Sequence, residues 1–128
     1  MTQDEMTKRI LHALLQPKIK ILGHPTGRLM NRRDGIYADW DKIFRLCKEK
    51  NIALEINAHP LRLDLPDLLV RQAIGMGVGL IINTDAHKSD QMNLMKYGVD
   101  VAERGWATKD DIMNTRPLDE FEKWLKNY

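Results

Sequence analysis

The sequence predicts a single α/β domain built on a parallel sheet. Three observations carry that expectation. Apolar, strand-like runs recur at residues 18–23, 52–56 and 78–83, and helical periodicity fills the intervals between them. Each run ends in polar residues, as Gly23-His24-Pro25, Asn57-Ala58-His59-Pro60 and Asn83-Thr84-Asp85-Ala86-His87. Short continuous apolar strands alternating with helices suit a sheet covered on both faces, and such sheets gather ligands at the carboxyl ends of their strands.

The bulk composition agrees. At 128 residues the chain is one domain, and an apolar fraction of 43% supports a real core. Twenty basic residues stand against eighteen acidic ones, so overall charge does not by itself argue for nucleic acid. Cys47 lies within a helical pattern and reads as a small buried hydrophobe, with no disulfide framework. The acidic opening lacks the apolar segment of a signal peptide, and no run is long enough to span a membrane. A cytoplasmic protein with no membrane partner is expected.

Taken in order, residues 2–15 form an amphipathic helix carrying Met6, Ile10, Leu11, Leu14 and Leu15, with Thr2 and Glu5 spaced as a capping box. His12 reads as a surface residue of this helix. Gln16-Pro17 ends it, and strand one follows at 18–23. Residues 24–39 make a long polar loop holding Arg28, Arg32 and Arg33. Asp39 caps a helix running to about Lys50, with Trp40, Ile43, Phe44 and Cys47 on one face, and Asn51 ends it. Strand two, 52–56, leads into a second polar loop, 59–67, with Pro66 suited to a first helical turn. The helix beyond turns Leu68, Leu69, Ala73 and Ile74 inward. Strand three is 78–83. A helix then opens at 88–91 and carries Met92, Met95 and Val99, with Gly98 expected to break it near Tyr97. Thr108 and Asp111 are spaced as a second capping box for a short helix to Asn114. Pro117 begins a last helix with Leu118, Phe121, Trp124 and Leu125 as its apolar stripe; Trp106 and Trp124 read as packing residues.

His24, Asp85 and His87 are the candidate metal ligands, with His59 and Asn57 as additions. Two imidazoles and a carboxylate suffice for one zinc or manganese ion with open positions for water, iron being a further option, but not for a cluster of two or three ions. Asp85 and His87 alternate along a segment expected to be extended, which would put both on one face. The competing reading makes Asp85 a helix cap and His87 polar surface, and His24 an ordinary turn residue. Arg28, Arg32 and Arg33 form either a solvated loop or a clamp that reads phosphate bidentately. Glu55 lies within strand two and needs a partner, for which Arg62 is the candidate.

Together, Gly23-His24-Pro25-Thr26-Gly27-Arg28-Leu29, Leu54-Glu55-Ile56-Asn57-Ala58, Arg62-Leu63-Asp64-Leu65, Asn83-Thr84-Asp85-Ala86-His87 and Gly105-Trp106 resemble the C-terminal part of the PHP (polymerase and histidinol phosphatase) domain of bacterial and archaeal family X DNA polymerases. The resemblance implies a partial (β/α)7 barrel: about three parallel βα units, an N-terminal helix and C-terminal helices, filling 1–128 as one partial domain. It implies a metal-dependent phosphoesterase, using manganese, zinc or iron, that acts on DNA phosphodiesters or terminal phosphates in 3′–5′ exonuclease or end-processing work during DNA repair. By motif, His24, Asp85 and His87 match metal ligands, Arg28 the arginine of the first loop, and Glu55, Asn57, Arg62 and Asp64 shell or structural positions. The family's opening His-x-His strand and its next ligands have no counterpart here. Two sheet edges are therefore expected to be open, with a missing N-terminal half or self-association completing the rim. Alone, the chain is expected to be weakly active or inactive. A non-catalytic structural or interaction module, and a small phosphatase completed by oligomerisation, are the alternatives.

Overall fold

The computed structural model describes residues 1–127. Its order is α1 (Gln3–Leu14), β1 (Ile21–Leu22), α2 (Trp40–Lys50), β2 (Ala53–Asn57), α3 (Asp67–Gly75), β3 (Leu80–Asn83), α4 (Met95–Arg104) and α5 (Leu118–Lys126), with short 3-10 turns at Ser89–Leu94, Lys109–Asp111 and Met113–Thr115. The three strands form one parallel sheet in the order β1-β2-β3. This is an incomplete, unclosed barrel-like α/β unit of three parallel strands with flanking helices, short of a full seven-unit barrel.

Local chemistry accounts for the helix ends. Thr2 and Glu5 exchange side-chain and backbone bonds in the expected capping box. Asp39 accepts from Lys42 N–H, and Asn51 closes α2 in the left-handed conformation that asparagine tolerates. The buried Thr7 hydroxyl bonds back to the Gln3 carbonyl and accepts from Asp39 N–H, which fixes α1 against the start of α2.

The sheet has two unlike faces. Leu54, Ile56, Leu80 and Ile82 point into the main core, where they meet Leu14, Ile43, Phe44, Val70 and Val101 from the helices. Ala53 and Ile81 point the other way and are covered by Met113, Trp124 and Phe121. Trp124 also donates to the Asn51 carbonyl at 2.9 Å, which anchors α5 below the start of β2. Cys47 is fully buried, and burial pushes its thiol up to about 12, so it stays a protonated packing group.

Several sequence expectations need correction. Strand one shrinks to two residues, because Lys18 takes a positive φ of 70° and the chain is not extended there. Gly98 does not break its helix; α4 runs through it, since only hydrogen fits between that backbone and Ile82 and Ala58. Trp106 is 67% exposed, has φ 69°, and lies under the Arg71 guanidinium at 3.6 Å from its ring centroid. Leu68 is 77% exposed, because Val70 and Ala73 are the residues that α3 buries. Met92, Met95 and Val99 also face outward, and Leu118 and Leu125 lie outside the Trp124 contact; α4 instead buries Gly98, Val101 and Ala102. The region after Thr108 makes the expected capping box but coils as 3-10 turns.

The two sheet edges differ. Beside β3, Ile112 forms a parallel bridge with Leu80. The Asn114 amide then accepts from Ile82 N–H at 2.7 Å and donates to the Ile82 carbonyl at 2.8 Å, as a neighbouring strand would. Among the described residues β1 has no partner on its outer side. Asn114→Ala is expected to cost about 1–2 kcal/mol, since both Ile82 groups lose their partner. Urea denaturation checks this, and an unchanged midpoint would show that the amide closes nothing.

Candidate functional site

The carboxyl ends of the three strands form one rim. His24 follows β1 at a φ of 23°, and its N–H donates to Glu55 Oε1 at 3.1 Å. Glu55 Oε2 accepts from Asn83 Nδ2 at 3.0 Å, so one carboxylate spans all three strands. Its partners are therefore His24 and Asn83, not the expected Arg62. Asn83 is a rim residue that sequence reasoning read only as the end of a strand.

Arg62 turns to Asp85 instead, with Nε 3.5 Å from Oδ2. Asn57 is buried at the end of β2 and donates to the same Oδ2 at 3.2 Å. Asp85 has φ 56°, so the segment to His87 is not the extended strand from which a shared face was expected. His87 is exposed, and its Nδ1 lies 2.7 Å from the Asp85 carbonyl oxygen. A carbonyl oxygen can only accept, so Nδ1 carries the proton and Nε2 is the nitrogen free to take a ligand. His59 Nδ1 accepts from Leu61 N–H at 3.2 Å, and its own N–H donates to Asn57 Oδ1, so this histidine shapes the turn it occupies.

The two polar loops grip one another. Arg28 donates through Nε to the Arg62 carbonyl at 2.9 Å and through Nη2 to the Leu63 carbonyl. In return, Asp64 accepts from Thr26 N–H at 3.1 Å and from Gly27 N–H at 2.8 Å. Asp64 is fully buried, and burial raises its carboxyl above the ordinary value; the bonds from Thr26 and Gly27 and the Arg28 charge act against that rise. Arg33 Nε donates to the Gly27 carbonyl, while Arg32 is exposed at the loop tip. Arg62 Nη1 is buried without a partner among the described residues. It is a guanidinium N–H donor left without an acceptor, shielded from solvent beside the Asp85 carboxylate. The signal for the interlock was in the sequence as two separate motifs, but nothing in either says that it grips the other.

A metal is a poor fit to these residues alone. Among the described residues no three His, Cys, Asp or Glu side chains converge as a metal cage requires. The Asp85 carboxylate already faces a guanidinium and an amide, which compete with a cation for its oxygens. The rim brings Asn57, Arg62 and Asp85 together, and separately His24, Glu55 and Asn83. It does not assemble His24, Asp85 and His87 as one set.

No protein-family model matches the chain. It is 43% identical over 119 residues to a protein described as "DNA polymerase/3'-5' exonuclease PolX" of Bacillus subtilis (strain 168), a match covering 93% of this chain and 21% of that one. It is 27% identical over 130 residues to a "Probable phosphatase" of Thermoanaerobacter sp. (strain X514), covering 96% of this chain and 50% of the other. A "Probable phosphatase" of Clostridium acetobutylicum is 32% identical over 126 residues, covering 89% and 47%. The chain thus spans about a fifth of the first relative and about half of the other two.

Proposed function

The chain is a homologue of the C-terminal part of the PHP domain of family X DNA polymerases, and from that premise we propose that it is a structural and anion-handling part of a phosphoesterase rim which does not catalyse by itself. Kinship links it to phosphoesterases of a metal-dependent family. What supports the non-catalytic reading is the state of Asp85: the expected carboxylate ligand is bound to Arg62 and Asn57, and among the described residues no three His, Cys, Asp or Glu side chains converge around it. The rim is braced by protein partners and offers arginines rather than a metal cage.

In this reading Arg28 and Asp64 hold the two loops together, and they set Arg62 beside Asp85 with one nitrogen unspent. Arg62, with Arg32 and Arg33 on the loop tip, would meet a phosphate group of DNA or of a smaller phosphorylated substrate. Guanidinium groups held in place stabilise charge on phosphoryl oxygens without needing to reorganise.

A second reading rests on the relatives' descriptions. Here residues from outside these 128, or from a second copy, complete the rim, and His24 and His87 supply donors together with Asp85. Titration of manganese and zinc by calorimetry, with assays on bis(p-nitrophenyl) phosphate and a 3′-labelled single strand, separates the two. The non-catalytic reading expects no stoichiometric metal binding and hydrolysis at the level of the blank. Stoichiometric binding and hydrolysis that Asp85→Ala abolishes would overturn it in favour of the second, and light scattering would then show whether a dimer carries the activity.

A further inference from the structure

An open groove lies at the end of the sheet opposite the rim. It encloses about 810 Å³ beneath α5, floored by Met113 and Trp124 and edged by Arg116, Lys123, Lys126 and Glu120. Its place is fixed by Asn51, which precedes β2, and by Met113, whose Sδ touches the position of Gly79 just before β3. The length of β2, roughly 13 Å, therefore separates it from His24 and Asp85.

A second cleft shares Asn51 and Asn127 with this groove and continues it past Lys18, Lys20, Lys50 and Glu49. Together the two clefts carry six basic and two acidic side chains, a surplus of four. The whole chain has a surplus of only two, so the remainder of the molecule is net acidic and the positive charge is concentrated here. Lys123 and Lys126, on the wall of the groove, enter no ion pair among the described residues. α5 carries Asp119, Glu120 and Glu122 at helical spacing from Lys123 and Lys126, yet the ion pairs among the described residues all lie on other elements. Lys20 is buried and donates to the Asn127 carbonyl at 3.1 Å, lying 5.1 Å from the Trp124 ring, so charge is set into the floor as well as the walls.

We propose that this continuous groove binds single-stranded nucleic acid, as an anchoring site separate from the rim. An apolar floor between cationic walls complements a chain of phosphates that also carries flat, weakly polar bases. A compact phosphate would use the cations and leave the floor wet, and a purely polyacidic peptide would lack aromatic groups to lay on it. The proposal deepens the reading of the chain as part of a DNA-acting phosphoesterase, while standing on residues that the rim does not use.

The test is fluorescence anisotropy with a fluorescein-labelled oligothymidylate, titrated on the full chain over a range of salt. Lys123 and Lys126 are exposed, so Lys123→Glu/Lys126→Glu leaves the core untouched, and Lys123→Gln/Lys126→Gln removes charge without reversing it. The charge-reversed pair is expected to weaken binding more than tenfold, and the neutral pair to lower the slope of log K against log salt by about 1.4, the value for two lost phosphate contacts on a single strand. Binding unchanged in both pairs overturns the groove. Equal affinity for a labelled polyglutamate of the same length overturns nucleic acid as its occupant. Arg32→Glu/Arg33→Glu reports on the rim independently: loss of binding there with none at Lys123 and Lys126 supports the rim reading and sinks this one, and the reverse pattern does the opposite.

Discussion

Gly98→Leu is expected to destabilise the chain by roughly 3 kcal/mol or more and to lower Tm by on the order of 10 °C. A Cβ at this position would lie 2.5 Å from Ile82 Cγ2 and 2.9 Å from Ala58 Cβ. Neither neighbour can retreat. Ile82 belongs to β3 and Ala58 follows β2 directly, so relief requires α4 to lift off the sheet that it covers. Gly98→Ala should lose less but with the same sign, since about 1 kcal/mol of helix propensity offsets part of the clash. Gly75 is the control: nothing lies within 4 Å of its Cβ position, so alanine there should cost nothing. Thermal melting of the three variants decides the matter, and a Gly98→Leu protein as stable as the parent would mean that α4 does not pack as described.

Asp64→Ala should rank next, at about 3 kcal/mol, because it strands the buried N–H donor of Thr26 and the partly buried one of Gly27. It should also loosen residues 24–36, visible as faster amide hydrogen exchange there while the core stays protected. The carboxyl has a pH signature. Its folded value is raised, so between the ordinary carboxylate value and the raised one the folded state holds more protons than the unfolded state. Stability from this group therefore falls as pH rises through that window and is flat above it. Asp64→Asn keeps an acceptor without the titration and should remove that slope in urea denaturation across mild acid. If the parent instead gains stability with pH relative to the asparagine variant, the N–H donors and Arg28 outweigh burial.

What could be read from the sequence, and what could not, divides along a physical line. Features written by neighbours in the chain were legible: the Thr2–Glu5 and Thr108–Asp111 capping boxes, the Asp39 cap and the Asn51 stop each need only a few consecutive residues. The three parallel βα units were legible too, because apolar period and length mark them. Gly98 was misread since glycine in a helix pattern signals either a break or a close approach, and only the third dimension distinguishes them. Trp106 was misplaced because bulk and aromaticity argue for burial, whereas the adjoining Gly105 leaves no room: its Cβ position meets Val70 at 2.4 Å, which sets the chain path there. At the rim the motifs named residues without naming partners. Glu55 was matched with Arg62, which lies seven positions on, but its bonds go to His24 and Asn83 from the two flanking strands.

The unequal edges of the sheet also bear on how this chain behaves when crowded. A bare strand edge is a template for aggregation, each added strand exposing another. Here growth is blocked twice. On one side Asn114 and Ile112 occupy the bonds a newcomer would need. On the other, β1 is only two residues long and is preceded by the positive-φ turn at Lys18, too short to seed a fibril. The bare side can accept one matching strand, but it does not invite a column of them.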